Sequence, residues 1–417
     1  MKGYDYNICL SIFYVSYIIF EVPLTAVCKW IGPGWFIPAC CFGFGVTTIC
    51  TAFVQDFGAL CGVRFLLGLF ESAMLPANAY YLSRWYRRSE LTFRLSLFIM
   101  AASLSGAFGG LLASAILRLS NFGSIRSWKM IFAIEGIATA VIGFLAFFAM
   151  TDRPETAIFL SREEKELAIE RIKSERIGTT ELIDSFNKAK FLRGVLNPVG
   201  LATSVIFLLD TITVHGISFF LPTIVQTIFP GRSVVSQQLL TVPPYAVGTV
   251  MCVAISFLSW KFDNRGAFLI FCAPFGVIGY AMFLATSNSR VRYGATFLPV
   301  CGIYAYGALT NSHVSANVVS DTARSSAIAT NVFFSNLGGL ISTWAFLPTD
   351  APLFRIGNGL NLAAQSSIFA IAVAMYLWIL ADNKKRERRN AEEELTGLTV
   401  EQVQDLDWKH PGFRWHN

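Results

Sequence analysis

Charge is what this sequence has little of. Only 14% of its 417 residues are Asp, Glu, Lys or Arg, while 54% are hydrophobic. A soluble chain of that size needs more polar surface to cover itself, so a soluble globular protein is excluded. Metal-ligand spacing is also lacking. The nine cysteines, Cys9, Cys28, Cys40, Cys41, Cys50, Cys61, Cys252, Cys272 and Cys301, all lie in or beside apolar blocks and read as small hydrophobes. No GxxxxGK[ST] string exists, which excludes a phosphate loop. No aromatic-and-basic groove argues for nucleic acid. No nucleophile triad, metal cluster or cofactor string accompanies the acids, so neither an enzyme nor a cofactor is expected. The start does not fit a secretory signal, because its first apolar block is long and polar-flanked.

What is present is long apolar blocks, at a mean hydropathy of +0.53. A membrane helix needs about 20 mostly apolar residues to cross a hydrocarbon core of roughly 30 Å. Eleven stretches qualify, at about 6–28, 36–54, 58–82, 95–117, 130–150, 199–225, 237–259, 267–286, 294–317, 326–347 and 360–381. The organisation expected is a five-span bundle over 1–151, a polar linker over 152–196, a six-span bundle over 197–382 and a polar tail over 383–417. The linker string SREEKELAIERIKSER carries acid–base pairs three and four apart and predicts a solvated surface helix.

Orientation follows from the basic residues. With the linker inside, 24 of the 33 Lys and Arg fall inside, 8 outside and Arg64 within a span. The inside set includes Arg84, Arg87, Arg88, Arg94 and the run from Lys384 to Arg389. That bias fits the positive-inside rule and puts the C-terminus in the cytoplasm.

An internal repeat is visible. Gly109–Gly110 and Gly338–Gly339 lie 229 residues apart, Arg94 and Arg324 lie 230 apart, and the loops KWIGPG and KFDNRG lie 232 apart. A near-constant offset predicts two parallel six-helix halves. The span at 199–225 then calls for a partner before residue 1. The expectation is a chain lacking its first helix through truncation of the gene reading, with an unusual eleven-span protein as the alternative.

Ionisable groups within spans are costly and mark candidate sites. The strongest set is RFLLGLFESAMLP, where Arg64, Gly68 and Glu71 share one helix face. Gly68 admits a close neighbour, Arg64 can fork onto a carboxylate, and Glu71 can take and release a proton. An Arg–Glu lock tying helices together is the alternative, and the two are not exclusive. Asp210 and His215 are candidates for substrate or proton handling, with interhelical hydrogen bonding as the alternative. Their five-residue spacing turns them to different faces. Tyr304 and Asn311 share a face and can orient a ring- or amide-bearing substrate, or act as helix glue. His313 is embedded as well, and Glu21 and Glu135 read as local packing groups. Pro243 and Pro244 predict a broken or bent helix. The glycine pairs predict close packing and sliding.

Several strings are familiar together: LSIFYVSYIIFEVP, RFLLGLFESAMLPA with Pro76, YYLSRWYRRSE, GAFGGLLAS, DRPETAIFLSREE, HGISFFLPTIV, TVPPY, RYGATFLP and FRW. In that order the chain resembles the fungal anion:cation symporter branch of the major facilitator superfamily, which includes permeases for allantoate, nicotinate and pantothenate. The resemblance implies an all-α integral membrane fold of two bundles, with 11 spans present of an expected 12. It implies alternating access and proton-coupled symport of a small organic anion, by a monomer at the plasma membrane. It supports Arg64, Glu71, Asp210, His215 and Asn311 as cavity residues. Two departures stand out: the first helix is absent, and the loop at 29–34 lacks the acid that its counterpart keeps at Asp263, beside Arg265. A nutrient sensor on this fold, or an inactive fragment, is the alternative.

Overall fold

In lipid a backbone must satisfy its own polar groups, and for a single apolar segment only a helix does so. The computed structural model describes residues 3–86, 88–119, 127–157, 159–173, 188–388, 394 and 406–417. Arg87, residues 174–187 of the linker and residues 389–393 after the last span lie outside them. Among the described residues the long elements are all α-helices. The chain runs α1 (Asp5–Ile31), α2 (Pro33–Phe53), α3 (Phe57–Glu71), α4 (Met74–Trp85), α5 (Arg88–Ile116) and α6 (Ser127–Ala149). Two shorter helices follow, α7 (Arg162–Lys173) and α8 (Lys188–Val195). Then come α9 (Pro198–Ile228), α10 (Val234–Phe262), α11 (Arg265–Ala285), α12 (Ser289–Ala316), α13 (Asp321–Ser342) and α14 (Arg355–Glu387).

Each expected span falls on helix, except that α13 ends at Ser342, short of the expected 326–347. Among the described residues, 8 stretches are long and apolar enough to cross a membrane, α3 and the first part of α4 counting as one. The more polar α5, α12 and α13 account for the other three, and α5 has a shorter apolar part at Leu104–Ile116. Large hydrophobics face outward: Val22 is 73% exposed and Phe148 77%, with Val250 and Leu377 also exposed. Such a surface is sustained by lipid rather than water.

Local chemistry sets the helix starts. Asp56 accepts from Ala59 N–H at 2.6 Å, Asn197 from Gly200 at 2.8 Å and Asn264 from Ala267 at 3.0 Å. Pro198 occupies the first turn of α9, where its missing N–H costs nothing. The predicted surface helix is α7, opened by a reciprocal capping box. Ser161 N–H donates to Glu164 at 2.8 Å, and Glu164 N–H to the Ser161 hydroxyl at 3.3 Å.

The stretch expected as one span over 58–82 is two helices. The chain turns at Ser72 and Ala73 between α3 and α4. Pro76 is the cause, because it has no N–H to give the Ser72 carbonyl four residues back. The Ser72 hydroxyl bonds to Leu69 O at 2.8 Å, and the ladder resumes with Ala77 N–H on Ala73 O at 2.8 Å. By contrast, α10 runs unbroken through Pro243 and Pro244.

Contacts divide the chain into two compact units. The first holds Met1–Phe98, Ala107–Thr180 and Gly231–Val242. There α2 packs along α6 and α1 along α3. The second holds Ile99–Gly106, Glu181–Pro230 and Pro243–Asn417. There α9 packs on α12, α13 and α14, while α11 packs on α12 and α14. Its core gathers Ile206, Leu269, Tyr306, Ile368 and Ile379, together with Trp415 from the tail.

Candidate functional site

In the first unit the site is built where α1 crosses α3. Gly68 is buried, and a Cβ there would collide with the Phe13 carbonyl and the Ser16 hydroxyl. The Ser16 hydroxyl is itself bonded back to Phe13 O at 2.9 Å. The contact presses α1 against the face that carries Arg64 and Glu71. Arg64 lies half-buried toward the start of α3, its charge acting on Tyr6 and Cys9 of α1. Glu71 is the last residue of α3, accessible at the turn, and its charge acts on Tyr14 and Tyr17 of α1. Seven residues of helix put the two about 10 Å apart along the axis. No ion pair joins them, so the direct Arg–Glu lock is not made in this conformation. A basic and an acidic side chain thus share one face of α3, opposite tyrosines of α1.

The remaining named residues of this unit take structural positions. Pro76 makes the turn after Glu71. Gly110 faces Thr241 and Val242, whereas Gly109 has open space beside it. Glu21 is half-buried on α1, with its charge acting on Tyr17, and Glu135 is half-buried on α6.

In the second unit Asp210 is 1% exposed in the middle of α9, and neither carboxylate oxygen has a hydrogen-bond partner. The side chain set against it is Gln365 of α14, also fully buried. Gln365 Nε2 donates to the Thr213 hydroxyl at 3.1 Å, and its Oε1 is unpaired. Tyr280 of α11 has an unpaired buried hydroxyl. Tyr304 meets Ser218 at 3.4 Å, and its ring centroid lies 6.3 Å from that of Tyr245.

His215 is half-buried and stacked on Phe219 at 5.7 Å, on a different face of α9 from Asp210. Asn311 spends its amide within the protein. Its Nδ2 donates to Gly307 O at 2.8 Å, and its Oδ1 accepts from Asn331 of α13 at 3.0 Å. His313 is fully buried, with both ring nitrogens unpaired. Gly338 lets α13 close on α9, where a Cβ would strike Leu208 O and the Thr211 hydroxyl. Gly339 is buried beside it, its carbonyl accepting from Ser342. Asp263 and Arg265 pair at 2.8 Å on the surface.

Sequence reasoning missed two contributors. Gln365 sits in a polar stretch of an otherwise apolar span, and nothing in its spacing ties it to Asp210. Asp152 supplies the acid that the loop at 29–34 lacks: its Oδ1 accepts from Gly34 N–H at 2.7 Å.

Comparison with known proteins decides the family. The profile described as Major Facilitator Superfamily matches residues 3–343. The chain belongs to the major facilitator superfamily. Among its relatives is the high-affinity nicotinic acid transporter of Saccharomyces cerevisiae, 30% identical over 418 residues, covering 100% of this chain and 77% of that protein. An uncharacterised transporter of Schizosaccharomyces pombe is 30% identical over 407 residues, covering 98% of this chain and 82% of the relative. Among solved structures, a bacterial homologue of the human lysosomal transporter Spinster, inward-facing and unoccupied, aligns with a TM-score of 0.66. It is 14% identical, over 90% of this chain and 89% of that one. A D-xylose–proton symporter aligns at 0.64, also 14% identical, over 87% and 86%. This superfamily member is therefore an all-helical integral membrane transporter, related in sequence to fungal permeases.

Proposed function

We propose that the chain is a proton-coupled symporter of small organic anions, working by alternating access. The observation that carries this reading is the pairing of Arg64 and Glu71 on one face of α3. They are separated by two turns, not joined to each other, and faced by Tyr14 and Tyr17. Arg64 presents a planar fork that suits a carboxylate. Glu71, at an accessible turn, exchanges the coupled proton. The nicotinic acid transporter among the relatives suggests a ring-bearing monocarboxylate. Asp210 and Gln365 form a second polar centre, with Tyr304 and His215 offering aromatic contacts to the substrate. Asn311 acts by holding α13 to α12. The reading extends to a monomer in the plasma membrane with the C-terminus in the cytoplasm, in line with the distribution of Lys and Arg.

The test is uptake of labelled nicotinate and other small carboxylates into proteoliposomes under an imposed inward proton gradient. Accumulation is expected, with loss in Arg64→Ala and loss of gradient dependence in Glu71→Gln. Wild-type accumulation that ignores the gradient would refute proton coupling. Full uptake by both variants would remove the roles assigned to these residues.

A further inference from the structure

The last twelve residues of the chain, 406–417, do not trail away from the second unit. They lie across one end of it, against α8, α11, α12, α13 and α14, and the contacts are of a selective kind. Two asparagines read consecutive peptide groups of the tail. Asn383 accepts from Trp415 N–H at 2.9 Å and donates to Trp415 O at 2.9 Å. Asn317 accepts from His416 N–H at 2.9 Å and donates to His416 O at 3.1 Å. A side-chain amide that bonds both N–H and C=O of one residue imitates a neighbouring β-strand. Successive residues of an extended chain face opposite ways, so the two asparagines grip the tail from two sides. Backbone groups extend the grip, because Arg265 N–H donates to Asn417 O at 2.8 Å.

Side chains add anchors. Trp415 is buried in the core of the unit, with its indole N–H on Asp382 at 2.7 Å. Asp382 also holds Arg386 at 2.6 Å, and Arg386 in turn donates to Trp408 O at 3.0 Å and to His410 O at 3.3 Å. The rings of Trp378, Trp408 and Phe413 surround Trp415 at centroid distances of 5.7, 5.7 and 5.0 Å. At the other end, Trp408 N–H of the indole donates to Arg193 O at 3.0 Å. Asp407, buried at positive φ, accepts from Val319 N–H at 3.2 Å and Ser320 N–H at 2.9 Å in the link between α12 and α13.

We propose that this end of the second unit is a peptide-binding seat whose ligand is the chain's own segment 406–417, held by recognition rather than by its covalent connection. A buried tryptophan ringed by aromatics, a buried carboxylate on two N–H groups and two amide clamps are the features of a specific peptide site. Seating the peptide ties the α10–α11 link, the α12–α13 link and the end of α14 into one body, which a half that moves as a rigid unit requires. The inference stands apart from the choice of substrate or coupling ion.

The test uses the full chain with a protease recognition sequence placed between residues 389 and 405, cut after folding and purification in detergent. The severed peptide is expected to co-elute with the remainder on gel filtration, as read by mass spectrometry. Trp415→Ala in the same cut protein should weaken retention by at least about tenfold, the scale of a central aromatic anchor. Synthetic 406–417 peptide added to the cut Trp415→Ala protein should displace the defective tail and raise the melting temperature. Should Trp415→Ala fail to fold, Asp407→Asn keeps the shape, removes the charge and should speed tail release. A tail that leaves the unsubstituted protein on cutting would overturn the proposal, and so would one retained equally in both variants.

Discussion

Asp152 caps α2 from far along the chain, 118 residues after the Gly34 that it holds. Its Oδ1 accepts from Gly34 N–H at 2.7 Å, and any side chain on Gly32, which sits at φ +101°, would drive into the carboxylate. In the second unit, Asn264 caps α11 locally, accepting from Ala267 N–H at 3.0 Å. Orphan donors at a helix start are thus met by a distant acid in one unit and by a local amide in the other.

Asp152→Ala should therefore destabilise the first unit by about 0.5–2 kcal/mol, the range for loss of a helix cap. Asp152→Asn keeps an acceptor and should lose less. Thermal unfolding in detergent measures both. An Asp152→Ala protein as stable as wild type would show that the bond is incidental.

Gly68 should tolerate almost nothing. A methyl group meets the Phe13 carbonyl and the Ser16 hydroxyl, and the carbonyl belongs to a helix backbone that cannot swing aside. Gly68→Ala should cost about 1–3 kcal/mol by overpacking, and Gly68→Leu should prevent α1 from docking on α3. Adding Ser16→Gly to Gly68→Ala removes one of the two obstacles and should recover part of the loss. No recovery in that double variant would place the strain on the Phe13 carbonyl alone.

The capping box of α7 should be pH-dependent. The backbone N–H of Ser161, and then its hydroxyl, hold the Glu164 carboxyl below the usual carboxylate range. A group whose folded value is depressed stabilises the fold above its unfolded value, and the contribution is lost as pH falls through the folded one. Amides in the first turn of α7 should then exchange faster as pH drops below the ordinary glutamate range, once intrinsic exchange is corrected for. Glu164→Gln should remove most of that pH dependence. An unchanged protection profile in that variant would assign it elsewhere.

Much of this architecture was written in local chemistry. Apolar blocks long enough to cross lipid fold as helices because no other backbone arrangement of one segment is satisfied there. The helix starts follow from Asp56, Asn197 and Asn264, whose side chains reach only a few residues ahead. The shared face of Arg64, Gly68 and Glu71 follows from helical spacing alone. What neighbouring residues do to one another along a helix is a short-range matter, and a sequence displays it.

Contacts across long separations were a matter for the tertiary structure. That Arg64 and Glu71 stay apart rather than lock, that Gln365 lies against Asp210, that Asn311 is occupied by Asn331, and that Asp152 caps α2 all depend on which helix faces which. The tail shows the limit most clearly. By composition its residues read as a polar tail, yet Trp415 is buried and bound by Asn383 and Asp382. Polarity along a sequence reports affinity for water, while burial is decided by whether a folded surface supplies hydrogen-bond partners to replace that water.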